Sequence, residues 1–168
     1  MVRKFALSAL VLLAAGGCSK TGEITEGGIT ALRSACPRVG IPAGTGDITV
    51  FNPPASRDAT AIDVTATLTN VTSVCDEAGE QIVTTIGFDV LGSRARPGEA
   101  RDVSLPYFVT VVRGGTSVIA KSVNRVTLHF DAGQVRASAK GQAVLSSTFE
   151  ALVGFQLTED QLKYNVTR

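Results

Sequence analysis

Two kinds of hydrophobic pattern divide this chain. Phe5 to Gly17 is an unbroken apolar or small run of thirteen residues, short of the roughly 20 needed to cross a bilayer as a helix. Beyond it, apolar residues alternate with polar ones. Between Thr60 and Val71, Ile62, Val64, Ala66 and Leu68 alternate with Asp63, Thr65, Thr67 and Thr69, which predicts a strand with one dry and one wet face. Asp76 to Gly79 reads as a turn. Gln81 to Leu91 then places Ile82, Ile86, Phe88 and Val90 on one face, so the two segments predict a hairpin with Cys75 near its tip. Gly92 to Arg101 is a polar connection turning at Pro97-Gly98.

The alternation continues. Val103 to Val112 puts Val103, Leu105, Tyr107, Val109 and Val111 on one face. Pro106 within it predicts an edge position or a bulge, because proline donates no ladder hydrogen bond. Gly114-Gly115 signals a two-residue hairpin leading to Thr116–Phe130. Asp131-Ala132-Gly133 turns the chain into Gln134–Lys140, and Gly141 opens an ambiguous apolar segment through Phe155. Thr158 and Gln161 fit a capping box for a short helix over Glu159 to Tyr164. Thr30 to Ser34 suits one helical turn. About seven strands in some 110 residues predict an all-β antiparallel sandwich whose architecture resembles immunoglobulin-like and fibronectin-type domains, with a small barrel as the alternative. The Cys–Trp–Cys hallmark of true immunoglobulin domains is absent, since the chain holds no Trp.

The apolar run has the order of an export signal. Arg3 and Lys4 form a basic n-region, Phe5 to Ala15 the apolar core, and Gly16 and Gly17 lead into Cys18. Ala15-Gly16-Gly17-Cys18 resembles the lipobox of bacterial lipoproteins, although that family favours Leu where Ala15 stands. The resemblance implies removal of residues 1–17 and acylation of Cys18, with stable anchoring because two or more acyl chains are carried. Ser19 in place of Asp implies the outer membrane, facing the periplasm. The alternative is ordinary signal cleavage nearby, with Cys18 left as a thiol. Three cysteines in an oxidising compartment leave one over. Acylation of Cys18 would leave Cys36 and Cys75 as an even pair, whose disulfide would close a loop of about 40 residues worth roughly 4 kcal/mol in the chain-entropy model. Residues 19–28 are polar and glycine-rich, a flexible tether between the lipid and a single domain over residues 30–168.

Composition narrows the partners. Sixteen basic residues become 14 once Arg3 and Lys4 are removed, against 15 acidic ones. That balance gives no reason to invoke nucleic acid or an anionic surface. Cys36 and Cys75 lack the paired spacing of a zinc site, and no cofactor motif is present.

Candidate chemistry is sparse. His129 is the only histidine, and Asp131 could share its face as an acid–base or metal pair, but no Gly-x-Ser-x-Gly elbow presents a serine to it. Asp76, Glu77 and Glu80 cluster at the first hairpin without calcium-loop spacing. Arg94, Arg96 and Arg101 share one loop and could grip an anion or a partner carboxylate, though Glu99 and Asp102 lie among them. Tyr107 and Phe108 are adjacent aromatics of opposite parity, so one of them is expected at the surface as a protein contact. Asn70-Val71-Thr72 and Asn165-Val166-Thr167 match a glycosylation sequon that a bacterial lipoprotein would not use. The leading expectation is a non-catalytic, lipid-anchored envelope module that binds a protein partner, with strand addition along Val103–Val112 as one route. A carrier for a small apolar or glycan ligand, requiring an internal cavity or end groove, is the alternative. A hydrolase comes third.

Overall fold

Branched apolar residues alternating with Thr, Ser and Asp do form strands here, and ten of them are found among the described residues. The structure, a computed structural model, describes Ile24–Thr25, Gly28–Ile29, 36–78 and 81–167. The signal segment, Cys18 and the helical turn expected over Thr30–Ser34 lie outside the described residues. Within the expected tether, β1 (Ile24–Thr25) and β2 (Gly28–Ile29) pair antiparallel, Ile24 opposite Ile29. This small hairpin belongs to a unit separate from Ser34–Arg168.

The second unit is a β-sandwich. One sheet has the order β3 (Val39–Gly40), β10 (Glu150–Phe155), β7 (Arg101–Arg113), β8 (Ser117–Phe130). The other runs β4 (Asp47–Phe51), β5 (Ile62–Ala78), β6 (Gln81–Arg94), β9 (Arg136–Ser146). All neighbours are antiparallel except β3 and β10, which run parallel. Eight strands therefore build the two sheets, with a C-terminal helix α1 (Glu159–Thr167) beside them.

The core lies between the sheets. Ile48, Val64, Leu68, Ile86, Phe88 and Val90 from one sheet meet Leu105, Tyr107, Val109, Leu128, Phe130, Val153 and Phe155 from the other. Full burial of each large side chain contributes about 1.5–3 kcal/mol. Small residues set how closely the layers approach. A Cβ on Gly141 of β9 would overlap the ring of Phe88, its cross-strand partner on β6. A Cβ on Gly92 would overlap Leu128 of the facing sheet.

Several strands differ from expectation in their ends. β5 continues to Ala78, which pairs with Gln81, so Asp76 and Glu77 are strand residues and not part of the turn expected at Asp76–Gly79. Cys75 pairs with Thr84 near that tip and forms a disulfide with Cys36, Cα to Cα 5.8 Å. β5 carries a bulge in which Asn70 and Val71 oppose Phe88, and Asn70 takes φ 51° there. The β7–β8 connection is three residues, Gly114 to Thr116, with Gly114 and Gly115 at φ 62° and 76°. A second register shift follows at Val111/Val112.

β7 is an interior strand, which corrects the edge position expected from Pro106. It pairs with β8 along its whole length and with β10 over Tyr107–Val112. The proline is accommodated because its carbonyl accepts from the Gln156 N–H (2.9 Å) just past the end of β10. In an extended residue the nitrogen faces the same side as the carbonyl. The missing donor therefore falls where the β10 ladder has already run out, and the β8 ladder is intact.

The four sheet edges are unequal. β3 has two residues. β4 is covered by α1, whose Gln161 and Asn165 sit one turn apart on one helix face. Gln161 Nε2 donates to Thr49 O (3.2 Å), and Asn165 Nδ2 donates to Asp47 O (2.8 Å) and Gly44 O (2.9 Å). Tyr164 packs edge-on against Phe51, ring centroids 5.2 Å apart. The helix begins with the expected capping box: Thr158 Oγ1 accepts from Gln161 N–H and Gln161 Oε1 from Thr158 N–H. β8 and β9 each pair on one side only among the described residues.

Candidate functional site

The β8 edge differs from every other strand in its exposure. All nine residues from Ser117 to Arg125 are exposed, whichever face they occupy, whereas Val126, Leu128 and Phe130 farther along are buried. Val118, Ile119 and Val123 are 60, 43 and 54% exposed. Lys121 pairs with Thr110 and Val123 with Phe108, so Lys121, Val123 and Arg125 share the outer face, while Ala120 lies opposite inward-facing Val111. Lys121 Nζ stands 4.8 Å from the centre of the Phe108 ring. Arg125 donates to the hydroxyl and carbonyl of Ser104, at 2.7 and 3.0 Å. The segment thus offers an aliphatic, cationic strand, bulged at Ile119, whose outer hydrogen-bonding groups meet no protein partner among the described residues.

The residues singled out in the sequence fall in different places. Tyr107 is a core residue: it packs edge-on against Phe88 at 5.0 Å, and its hydroxyl donates to Gln142 O at 3.1 Å. Burial pushes its phenol pKa above the usual 10. Phe108, half-buried, faces outward beneath Lys121. The surface aromatic is therefore Phe108, and Tyr107 is not available to a partner.

The three arginines also separate. Arg94 is 5% exposed, which corrects its placement in a solvated loop. β6 keeps its alternation past Val90, so Gly92 and Arg94 both point inward. The guanidinium donates to four backbone carbonyls: Gln134 from Nε (2.6 Å), Glu99 (2.8 Å), and Gly98 and Asp131 (both 3.0 Å). It also lies 5.5 Å from the Phe130 ring centre. Those carbonyls belong to the β6–β7 and β8–β9 connections, so Arg94 ties two loops to the end of the sandwich and has no fork left for a ligand. Arg101 pairs with Asp63 at 2.6 Å. Arg96 is exposed and lines an open cleft of about 490 Å³ with Asn52, Asp63 and Glu99.

His129 sits between two carboxylates. Its Nδ1 is 2.6 Å from Asp102 Oδ1 and its Nε2 is 3.4 Å from Asp131 Oδ1. Sequence reading found Asp131 alone. A two-residue turn at Gly114-Gly115 would have set Asp102 opposite Thr127; the third turn residue and the bulge move His129 into that position. The imidazole pKa is raised above 6.5, first by the hydrogen bond to Asp102, then by its charge, with Asp131 adding and slight desolvation opposing. His129 and Asp131 border an open groove of about 720 Å³ on the outer face of the second sheet, with Thr67, Leu91, Arg136 and Ser138. Among the described residues no group of three or more His, Cys, Asp or Glu side chains could hold a metal ion. Asp76 and Glu77, adjacent on a strand, point to opposite faces, and Glu80 lies outside the described residues. Asn165 of the second sequon spends its amide on the carbonyls of Gly44 and Asp47.

Replacing Arg94 by Ala removes a buried guanidinium and its four bonds to the two loops, and the expected loss is about 3 kcal/mol by urea unfolding; an unchanged unfolding midpoint would show that the two loops hold themselves. For His129 the sign is fixed by the raised pKa. Its pairing stabilises the fold fully below about pH 6.5 and is lost as pH rises through the folded-state value. An NMR titration of this single imidazole should give a midpoint above 6.5 that moves down in Asp102→Asn. A midpoint indifferent to that substitution would exclude the pair.

Comparison of the chain with family models, with curated proteins and with solved structures gives no match.

Proposed function

We propose that this chain is a lipid-anchored module of the bacterial envelope that binds a protein partner along the open edge of β8 and carries out no chemistry itself. One observation carries the reading. A strand of 14 residues is left open on its outer side by the described residues and exposed on both faces for its first nine, while β4 is covered by a helix. Open edges of this length invite strand addition, and natural sandwiches cover or charge the edges that they do not use. The Cys36–Cys75 disulfide supports an oxidising compartment, and the Ala15-Gly16-Gly17-Cys18 pattern supports acylation of Cys18 and attachment to the outer membrane on its periplasmic side.

The catalytic reading is weaker. Nδ1 of His129 is bonded to Asp102, Nε2 lies 3.4 Å from a second carboxylate, and no hydroxyl or thiol hydrogen-bonds the ring among the described residues. The carrier reading needed an internal cavity or an end groove lined by Val, Ile and Phe. The space between the sheets is instead filled by Phe88, Tyr107, Phe130 and Phe155 with their aliphatic neighbours, and the clefts beside Arg96 and beside His129 are open and edged by polar side chains. A glycan in the groove beside His129, Arg136 and Ser138 is the second reading, favoured by that groove's hydroxyl and charged groups.

In cells, a photo-crosslinker at Val123 of β8 should trap a protein, whereas one at Leu91 in the groove should not. Cys18→Ser should release the chain to the soluble periplasmic fraction and weaken the adduct. A protein trapped only at Leu91 would move the contact to the groove, and a Cys18→Ser chain that stays with the membrane would contradict the anchor.

A further inference from the structure

The chemistry of β8 also says what kind of strand it accepts. From Ser117 to Arg125 the edge carries two cations, Lys121 and Arg125, and no carboxylate. The strand behind it adds Arg113 and no acid between Pro106 and Arg113. Lys121, Val123 and Arg125 occupy alternate positions of one face. Their spacing is therefore cation, aliphatic, cation, each about 7 Å from the next along the strand, with Ile119 and Val118 continuing the aliphatic surface.

A second copy of the chain is a poor occupant. Antiparallel β8–β8 pairing centred on Lys121 sets that residue against itself. Centring on Val123 sets Lys121 against Arg125. Both registers set cations together with no carboxylate between Ser117 and Arg125 to offset them, and like charges directly opposite are destabilising. An edge lysine is a common guard against such self-pairing.

We propose that the β8 edge takes an extended acidic segment of a partner protein, one in which carboxylates alternate with branched aliphatic residues along one face. Backbone hydrogen bonds to the free side of β8 supply affinity that does not depend on sequence. Carboxylates opposite Lys121 and Arg125 with an aliphatic residue opposite Val123 supply the selection. The proposal rests on the reading of β8 as the contact edge and adds the partner's chemistry to it.

The test uses the full chain in detergent and fluorescent peptides of the same length as the exposed segment. One peptide alternates Thr with Glu and Val, so that two Glu flank a Val on one face; the other carries Lys in place of Glu. The Glu peptide should bind about tenfold more tightly than the Lys peptide, since two exposed ion pairs become two repulsions. Lys121→Glu together with Arg125→Glu should reverse that order, with Lys121→Glu alone between the two and thermal melts confirming that each variant is folded. A Glu peptide N-methylated at alternate residues should lose binding on the face that must donate to β8. Equal binding of the Glu and Lys peptides would overturn the acidic assignment and leave β8 as the edge. Undiminished binding of every N-methylated form would overturn strand addition. A dimer of the chain that Lys121→Glu abolishes would replace the partner with a second copy. Failure of all peptides while a crosslinker at Val123 still traps a protein overturns this partner chemistry alone; failure of the crosslink as well removes the adaptor reading.

Discussion

The carbonyl oxygens of Asp47 and Thr49 face away from β5, and what becomes of them organises the molecule. A sheet cannot end without leaving backbone donors and acceptors unpaired, and each must find a side chain, water or another chain. Here the C-terminal helix lays Gln161 and Asn165 over that edge, with Tyr164 holding the helix against Phe51. The opposite side of the sandwich receives no such cover from the described residues. The last strand before the helix, β10, inserts between β3 and β7, and so the C-terminal segment closes one side and leaves β8 at the other.

The core allows this asymmetry because it does not rely on the open strand. The first nine residues of β8 contribute nothing to the buried set, whereas Val126, Leu128 and Phe130 at its far end do. Near that end, Arg94 ties the loops of both sheets together through four carbonyls, and Gly92 admits Leu128 at close range. One end of β8 is thus fixed firmly, and the other is displayed. A binding strand benefits from this arrangement, since its geometry is set in advance by β7 and little ordering remains to be done when a partner arrives.

What was legible in the sequence was whatever depends on the two-residue period. The faces of β5, β6 and β7, the burial of Ile82, Ile86, Phe88 and Val90, and the capping box of α1 all follow from local spacing. Cys75 at a hairpin tip was legible for the same reason. The cover that Gln161 and Asn165 give to β4 was not legible, because their partners there lie more than a hundred residues away. Sheet order could not be read either: Pro106 suggested an edge, yet its nitrogen lies past the end of β10 in an interior strand. Arg94 was lost by stopping the alternation at a glycine, although the strand continues through Gly92. Asp102 was missed as the partner of His129 because one extra turn residue and one bulge shift the hairpin register by two.

The account depends most on β8 being open while β4 is closed, and residue-resolved amide hydrogen exchange tests that directly. Between Ser117 and Arg125, amides that point away from β7 should exchange rapidly while those bonded to β7 are protected, giving an alternating pattern. Amides of Val83–Ser93 in β6, paired on both sides, should be uniformly slow, as should those of Ile48 and Val50, which face β5. Uniform protection through Ser117–Arg125 would mean that another part of the chain or a second copy already occupies the edge, and the partner-binding account would not stand.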